Sequence, residues 1–391
     1  MSQISSRIWS DEEVERLIGW RRALHRHPEL GYTEEKTSDL VAGILEQAGY
    51  AIRRGLAGTG VVGELGRGGR SLLIRADMDA LPIQEVNEVD YRSENEGVMH
   101  ACGHDGHVAM ALLTAQRLAA KPTENGSVRM VFQPAEEGLG GAKKMIEEGV
   151  LGPEPPDAAI GIHLWNGLPV GEVVVRPGPL MASVDEFEIV IRGRGGHGAI
   201  PQQTVDAILV ASHLVVAAQS IVSRNVDPFH PAVVTFGSLH AGKVFNIIAQ
   251  EARLKGTVRT LDDAEWRAMP ERLERIVAGV CATFGAEYSL DYHRTNRATV
   301  NEASFTGLVR EVVEQVVGPE VRDDVQTMAG EDMSEFLDRV PGCFLLLGSA
   351  NAARGLSSPH HSPTFDFDEA CLPIGAEILT RVAERFLGPN E

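Results

Sequence analysis

Four short runs of apolar residues recur along the chain, at residues 71–75, 128–132, 158–162 and 343–347. Segments with helical periodicity separate them, and helices are predicted across 11–49, with a break at Pro28, and across 108–120. Short continuous apolar runs between helices are typical of strands that are buried on both faces of a sheet. The pattern therefore predicts an α/β fold in which a mixed sheet is flanked by helices.

The middle of the chain follows a different pattern, because its polar and apolar residues alternate. Strands are predicted at 186–192, 232–236, 251–259 and 286–292, and helices at 204–222 and 262–284. This β-α-β-β-α-β order is that of a ferredoxin-like α+β unit, and alternation is expected of a sheet with one solvated face. Since the α/β pattern resumes near residue 303, we predict an inserted domain at 183–294. The first domain would be discontinuous, with residues 1–182 and 295–391.

Composition narrows the classes of function. The chain has 391 residues and a net charge of −19, which suits two domains and argues against nucleic acid or anionic membranes as partners. No uninterrupted apolar run is long enough to span a bilayer, and the first residues carry no apolar signal core. The four cysteines lack disulfide-like spacing. We expect a cytoplasmic protein.

Acidic and imidazole side chains follow three of the apolar runs. Asp77 and Asp79 follow the first run, Glu136 and Glu137 the second, and His163 the third. In open α/β sheets, ligands bind in the crevice beyond the carboxyl ends of the strands. We therefore expect these side chains to share one crevice.

Residues 100–107 have the sequence His-Ala-Cys-Gly-His-Asp-Gly-His. Cys102 and His104 lie two apart on a glycine-containing loop, so both can turn toward one point. Three further candidate ligands, Glu137, His163 and His361, would converge from strand ends. Five ligands are too many for one open catalytic site but suit two metals that share a bridging ligand. The alternative is a helix cap with bystander histidines.

The Glu136-Glu137 pair offers a general base beside such a centre. Neighbouring side chains of an extended segment point in different directions, so one carboxylate can bind metal while the other faces a water molecule. The alternative is a helix N-terminus that favours acidic residues. The ligand set favours the catalytic interpretation.

Four motifs together resemble the hippurate hydrolase and N-acyl-amino-acid amidohydrolase family, a branch of the aminoacylase-like metallopeptidase superfamily that includes the plant auxin-conjugate hydrolases. They are Arg-Ala-Asp-Met-Asp-Ala-Leu-Pro at 75–82, the motif at 100–107, Gln-Pro-Ala-Glu-Glu-Gly at 133–138, and His-Ser-Pro at 361–363. The resemblance covers nearly the whole chain. It implies a metallopeptidase catalytic domain with an inserted lid and dimerisation domain.

The resemblance implies two divalent metal ions per subunit, held by Cys102 as the bridge, His104 and His163 on one ion, and Glu137 and His361 on the other. Zinc or manganese is expected, with cobalt and nickel as further candidates. Glu136 would be the general base. Asp79 resembles the acid that stands behind the ligands, and Asp77 either shares this role or only forms strand-end hydrogen bonds. His360 is expected to be a neighbour, Asp105 and His107 supports of the loop, and His100 has no assigned role.

Three residues of the inserted domain match family positions that contact substrate. His197 would stabilise the oxyanion, although a histidine in a glycine turn can also be purely structural. Asn246 and Arg259 would bind the substrate carboxylate. Many relatives have proline where Ala249 stands, which weakens the assignment of Asn246.

The resemblance predicts metal-dependent hydrolysis of N-acyl amino acids to a carboxylic acid and an amino acid. A carboxypeptidase or dipeptidase of the same superfamily is the nearest alternative. More remote ones are a thiol amidase with Cys102 as nucleophile, and a non-catalytic binding protein. The expected partners are a small-molecule substrate and further copies of this chain in a homodimer or higher oligomer.

Overall fold

The computed structural model describes residues 8–122 and 125–388, which fall into two compact units. One unit comprises the chain up to Gly178, Val300–Val325 and the chain from Asp332 onward; the other comprises Pro179–Thr299 and Gln326–Glu331. The second unit contains all of the segment 183–294. Residues 1–7, on which the prediction of no signal core partly depends, lie outside the described residues.

Helices and strands are interspersed along the described chain. The helices are α1 (Asp11–Arg26), α2 (Glu35–Gln47), α3 (His104–Ala120), α4 (Gly141–Glu147), α5 (Ala207–Ser220), α6 (Asp263–Phe284), α7 (Ala303–Val317), α8 (Ser334–Leu337) and α9 (Leu372–Leu387). The strands are β1 (Ala51–Leu56), β2 (Gly60–Arg67), β3 (Arg70–Asp77), β4 (Gly126–Gln133), β5 (Ala158–Pro169), β6 (Val173–Val174), β7 (Gly178–Met181), β8 (Val184–Arg192), β9 (Gly196–His197), β10 (Ala232–Ala241), β11 (Ile247–Ile248), β12 (Glu251–Thr260), β13 (Glu287–Asn296), β14 (Thr299–Asn301) and β15 (Gly342–Ala350).

The first unit is built on a mixed sheet whose strands, as far as the chain is described, follow the order β1-β2-β4-β3-β5-β15-β6. The four predicted apolar runs form the adjacent strands β4, β3, β5 and β15, which are mutually parallel. The outer strands pair antiparallel. Central parallel strands are covered on both faces, which explains why their sequences are continuously apolar. The predicted α/β class is confirmed.

The register of this sheet brings polar residues to one edge. Asp77, at the end of β3, lies opposite Gln133, at the end of β4. His163 does not end its strand as predicted, because β15 continues to pair with β5 as far as Pro169. On its other side, however, β5 pairs with β3 only as far as Gly161. His163 therefore stands where that neighbouring strand has already ended.

Helix α3 carries part of the histidine-rich motif into the core. It begins after Gly103, whose left-handed conformation (φ 89°) glycine adopts without steric cost. Most of α3 is buried, as its alanine- and leucine-rich sequence predicts. The helix packs against α1, α9 and the sheet. The first turn of α3 is consequently held inside the fold.

The second unit confirms the predicted α+β pattern. Its antiparallel sheet has the order β10-β12-β8-β13, as in ferredoxin-like folds. Along β8, Phe187, Ile189 and Ile191 are buried, whereas the residues between them are less covered. Helices α5 and α6 add Leu214 and Leu273 to the same core. This alternation explains the period of two in the sequence.

One helical stretch, Ala207–Asn225, is long and apolar enough to cross a membrane by length and composition alone. Ser212, His213 and Gln219 interrupt its apolar residues, so the sequence of this stretch does not form one continuous apolar run. Val210 and Leu214 on this stretch pack into the core of the second unit, and core helices satisfy the same criteria. The cytoplasmic location and the absence of a membrane partner stay predictions.

The close approach of α9 to α3 gives a prediction for stability. A Cβ atom on Gly375 would lie 2.1 Å from Met110 Sδ and 2.9 Å from Leu347 Cδ2. Overpacking of a core forces its neighbours to move, so we expect Gly375→Ala to lower the free energy of unfolding by about 1–3 kcal/mol. Urea denaturation followed by circular dichroism measures this difference.

Gly307 provides the matched control. It lies within α7, and a Cβ atom there would meet no heavy atom within 4 Å. Gly307→Ala should raise the free energy of unfolding by about 0.5–1 kcal/mol, because alanine is the better helix former. Equal effects of the two substitutions would contradict the proposed packing of α9 on α3.

Candidate metal centre

The structure brings the five predicted ligands of the first unit together at the edge of its sheet. These five ligands form two groups whose ligand atoms lie within 4.8 Å of one another. The first group is Cys102, His104 and His163, and the second is Cys102, Glu137 and His361. Cys102 is common to both groups. Its thiol thus has the position that a ligand shared by two ions requires.

Two of the histidines turn their Nε2 atoms toward this cluster. His163 donates its Nδ1 hydrogen to the carbonyl oxygen of Leu164 (2.6 Å), which leaves Nε2 3.6 Å from Cys102 Sγ. His104 donates its Nδ1 hydrogen to Asp79, at 2.9 Å from its carbonyl oxygen and 3.2 Å from its carboxylate. A partner on one ring nitrogen fixes the tautomer and turns the other toward a metal.

Two buried polar atoms face each other without hydrogen bonds. His104 Nε2 and Glu137 Oε1 have no hydrogen-bond partner of good geometry within the described residues and lie 3.9 Å apart. His361 Nε2 lies 3.3 Å from the same Glu137 oxygen. Buried polar atoms are rarely left unpaired, because their desolvation is costly. Thiolate, imidazole and carboxylate donors in this arrangement fit zinc and similar divalent ions.

The electrostatic surroundings differ between the ligands. Burial, with the adjoining His107 and His360 rings, keeps the pKa of His163 well below its usual value, so its Nε2 stays unprotonated. Burial also lowers the pKa of His104, but the Asp77 carboxylate, together with Asp79 and Cys102, outweighs this effect and raises it well above normal. An ion that binds His104 Nε2 would therefore displace a proton. Burial raises the pKa of the Cys102 thiol. A thiolate here consequently needs a compensating positive charge.

His107 supports the cluster from behind. Its Nδ1 donates to Asp77 Oδ1 (2.6 Å), and its Nε2 accepts the amide hydrogen of Leu164 (2.9 Å). Both ring nitrogens are therefore occupied within the protein. Asp77 also lies 3.7 Å from His104 Nε2 and is fully buried. Asp77 therefore lies against both rings, and its carboxylate and ring nitrogens of His104 and His107 lie within 4.8 Å of one another.

A second buried network surrounds Asp105 at the start of α3. Its carboxylate accepts hydrogen bonds from Arg21 Nε (2.9 Å) and His25 Nδ1 (2.8 Å). His25 also contacts Glu85 (3.3 Å), so its pKa is raised despite its burial. His100 is buried nearby, and its two ring nitrogens have no hydrogen-bond partner in the described chain. The network fastens α1 to the loop that carries Cys102.

The Glu136-Glu137 loop is held by other carboxylates. Ala135 has a positive φ of 56°, and its amide donates to Glu34 Oε1 (2.9 Å). The amide of Glu137 donates to Asp79 Oδ2 (3.0 Å). Glu136 is nearly buried, and its Oε1 accepts the amide hydrogen of Asp332 (3.4 Å). These contacts fix the direction in which each glutamate leaves the backbone.

The loop that bears His360 and His361 is fastened by Asn166 of β5. The Asn166 side chain donates to the carbonyl oxygens of Ser358 (3.0 Å) and Asp366 (2.7 Å). The main-chain amide of Asn166 donates to His360 Nε2 (3.2 Å). His360 Nδ1 is then the protonated nitrogen and lies 3.8 Å from Cys102 Sγ. His360 is therefore oriented as a hydrogen-bond donor to the thiol.

Sequence reasoning assigned no role to several residues that shape this site. They are Glu34, Arg75, Asn166 and Asp332. Arg75 carried a usable signal, because a charged residue inside an otherwise apolar strand is rarely buried without partners. Asn166 and Asp332 carried no such signal in the sequence, since their contacts join segments that lie far apart along the chain.

The three remaining predicted site residues belong to the second unit. His197 and Asn246 adjoin each other, because β9 pairs with β11 and the amide of Gly198 donates to the carbonyl oxygen of Asn246 (2.8 Å). His197 Nδ1 accepts the amide hydrogen of Ala199 (3.0 Å), so the ring proton is on Nε2. Arg259 lies on β12 of the four-stranded sheet, whereas β9 and β11 form a separate two-stranded sheet. Ala249, at the position of the family's proline, is buried.

Comparison with known proteins assigns the chain to a family. Residues 73–385 match the model of Peptidase family M20/M25/M40. The chain belongs to this family. Thermostable carboxypeptidase 2 of Saccharolobus solfataricus is 38% identical over 377 residues, or 95% of each chain. N-acetylcysteine deacetylase of Bacillus subtilis is 38% identical over 372 residues, or 94% of this chain and 96% of the relative.

A solved structure has the same fold. A protein from Bacillus subtilis described as a dinuclear metal-binding peptidase of the M20 family superposes with a TM-score of 0.84. It is 34% identical in sequence, and the alignment covers 97% of this chain and 99% of the other. The resemblance noted from the four motifs is confirmed.

The contacts of Asn166 give a prediction for the histidine loop. Asn166→Ala leaves the Ser358 and Asp366 carbonyl oxygens without their donor. We expect the free energy of unfolding to fall by about 1–3 kcal/mol, because buried acceptors lose their partners. Amide hydrogen exchange in residues 358–366 should accelerate more than elsewhere.

Ser362→Ala is the control within the same loop. The Ser362 hydroxyl is exposed and contacts only Thr364 among the described residues. This substitution should change the free energy of unfolding by less than about 0.5 kcal/mol. If Asn166→Ala changed the free energy of unfolding as little as Ser362→Ala, Asn166 would not be the residue that holds this loop.

Proposed function

We propose that this protein is a metal-dependent amidohydrolase that cleaves N-acyl amino acids into a carboxylic acid and an amino acid. The observation that carries the proposal is the donor set in which Cys102 belongs to two ligand groups, with Glu136 beside it. Cys102, His104 and His163 of this set are buried, whereas Glu137 is partly buried and His361 is exposed. Membership in the M20 family and the N-acetylcysteine deacetylase relative support this reaction class. A free α-carboxylate on the substrate is part of the proposal.

The five donors would hold two divalent ions, with zinc or manganese expected and cobalt or nickel as further candidates. We assign His104 and His163 to one ion, Glu137 and His361 to the other, and Cys102 to both. When bound, two such ions would polarise the amide carbonyl and make a water molecule easier to deprotonate. Asp77 would orient His107, and Asp79 would orient the ligand His104.

Glu136 is proposed as the general base and acid. One of its carboxylate oxygens lies within 4.8 Å of ligand atoms of His104 and Glu137, so it borders the ligand cluster. It would accept a proton from the attacking water, whose oxygen forms the new bond to the carbonyl carbon. The same carboxyl group would then donate this proton to the amine nitrogen as the C–N bond breaks.

Residues of the second unit are proposed to bind substrate. The Nε2 hydrogen of His197 is available as a donor, because Nδ1 already accepts a hydrogen bond. Such a donor would stabilise the oxyanion of the tetrahedral intermediate. Arg259 forms no hydrogen bond or ion pair within residues 8–122 and 125–388, and burial lowers its pKa. An unpaired guanidinium suits a substrate carboxylate, and Asn246 would assist it.

The test is hydrolysis by metal-loaded protein of N-acetyl and N-benzoyl amino acids, with dipeptides as the comparison. Glu136→Gln should lower kcat at least about 100-fold while metal content, measured by plasma mass spectrometry, stays at the wild-type level. Glu137→Gln should lower both kcat and metal content. Glu147→Gln, on the exposed end of α4, is the control and should change neither.

Other outcomes would favour the alternatives. Faster cleavage of dipeptides than of acyl amino acids would favour the peptidase alternative, which the carboxypeptidase relative supports. Activity that survives exhaustive chelation but is lost on alkylation of Cys102 would mean a thiol amidase. Metal-loaded protein that cleaves none of these substrates would indicate a binding protein.

We also propose a homodimer formed through the second unit. Strand β10 lies at the edge of its sheet and offers ten residues of backbone for pairing with another strand. On α5, Ile208, Leu209 and Val216 are 44%, 47% and 74% exposed. An edge strand beside an apolar helix face is complementary to a second copy of itself about a two-fold axis.

The substitution Val216→Asp tests this interface. A charge on the apolar face should raise the dissociation constant of the dimer at least about tenfold, because desolvating it opposes association. Analytical ultracentrifugation measures the constant. Val86→Asp, at a position 53% exposed on the first unit, is the control and should leave the constant unchanged. A monomeric wild type would contradict the proposal.

A further inference from the structure

Arg75 is a buried cation inside an apolar strand. Leu72, Leu73 and Ile74 precede it on β3 and are fully buried, and Arg75 itself is only 3% exposed. A guanidinium in such surroundings requires compensating partners, because an isolated buried charge is strongly unfavourable. Three of its hydrogen bonds lead to Asp77, Gln133 and Asp332, which border different parts of the candidate metal centre.

One direction leads to the histidines. Arg75 Nη1 donates to Asp77 Oδ2 (2.7 Å). The other oxygen of Asp77 holds His107, and Asp77 also lies 3.7 Å from His104 Nε2. The guanidinium therefore fixes the carboxylate that orients His107 and lies against His104.

The other two directions lead to Gln133 and Asp332. Arg75 Nε donates to Gln133 Oε1 (2.8 Å), and Nη2 donates to Asp332 Oδ1 (2.7 Å). Gln133 Nε2 donates to both Asp332 oxygens at 2.8 Å, which closes a triangle of side chains. All three side chains are buried. Asp332 cannot shift without breaking bonds to the other two.

Asp332 in turn borders the loop of the proposed base. Its main-chain amide donates to Glu136 Oε1 (3.4 Å), and its Oδ2 accepts the amide hydrogen of Ala142 (3.0 Å) in the first turn of α4. The amide of Gly141, next to Ala142, donates to the carbonyl oxygen of Ala135 (3.0 Å). Both ends of the Glu136-Glu137 loop are thereby tied to Asp332.

We propose that Arg75 is a positioning residue that sets the histidine side of the metal cluster and the Glu136 loop in one fixed geometry. The proposal rests on the proposed function of these groups. Arg75 acts through Asp77 on one side and through Asp332 on the other. Its planar fork matches three acceptors at once, which a lysine ammonium on a flexible stem does not.

Arg75→Lys is the primary test. The dissociation constant for Zn²⁺, from competition with a chromophoric chelator, should rise at least about tenfold, as expected when support of metal ligands is lost. The kcat for an N-acyl amino acid should fall at least about tenfold while KM stays within about twofold, because the reacting groups are misplaced. The rise in melting temperature caused by Zn²⁺ should shrink.

Arg310→Lys is the matched control. Arg310 also bonds several partners, Glu314, Asp323 and the carbonyl oxygens of Val175 and Val321, but outside the cluster. It should leave Zn²⁺ affinity and kcat at wild-type values. Asp332→Asn is the second variant in case Arg75→Lys does not fold. In this variant an NH2 group replaces one of the carboxylate oxygens that accept hydrogen bonds from Gln133 and Ala142. We therefore expect kcat to fall while the circular dichroism spectrum stays native.

The outcomes separate this proposal from the proposed function. A folded Arg75→Lys protein with Zn²⁺ affinity and kcat within twofold of wild type would overturn it. A lower melting temperature of the metal-free variant, with Zn²⁺ affinity and kcat unchanged, would also overturn the proposal. Arg75 would then contribute only to stability. If the wild type hydrolysed no substrate, the proposed function would fail, yet the change in Zn²⁺ affinity would still test Arg75.

Discussion

Many ionisable side chains are buried at one edge of the central sheet, and their charges have to be balanced within the protein. Asp77 is fully buried, which would raise its pKa, but the His104 ring, the Arg75 guanidinium and the His107 ring keep it well below the usual range. Ionised Asp77 then fixes the tautomer of His107. Without this compensation the carboxylate would take up a proton, because burial disfavours its charge. The geometry of the ligands depends on that balance.

The same constraint explains the backbone of the two ligand loops. Ala135 and His361 have positive φ values of 56° and 62°, a region that costs a residue with a side chain about 1–3 kcal/mol. Each strained residue is held by a polar contact: Glu34 accepts from the amide of Ala135 (2.9 Å), and the amide of His361 donates to Ala101 (2.9 Å). Anchored loops of this kind keep the donors in place before any ion or substrate binds.

The sequence predicted the fold class because its decisive features are local. Buried parallel strands appear as continuous apolar runs, and the alternating middle segment indicates a sheet with one solvated face. That the candidate ligands at the strand ends lie together was predictable for the same reason, since residue type and position along one strand suffice. Asn166 and Asp332 were not predictable, because their partners lie far along the chain and depend on how loops pack. The length of β5 beyond His163 was missed because pairing with β15, not composition, determines it.

Relatives with 38% identity include both a carboxypeptidase and an N-acetylcysteine deacetylase. Both reactions hydrolyse an amide beside an amino acid, so one arrangement of ligands and base can serve either. Cys102, His104 and Glu136 would meet only the bond that breaks, and that bond is the same in peptides and acyl amino acids. Selectivity therefore has to come from residues that touch the rest of the substrate. The buried network around Arg75 would then determine how well the amide is hydrolysed, and not which acyl group is accepted.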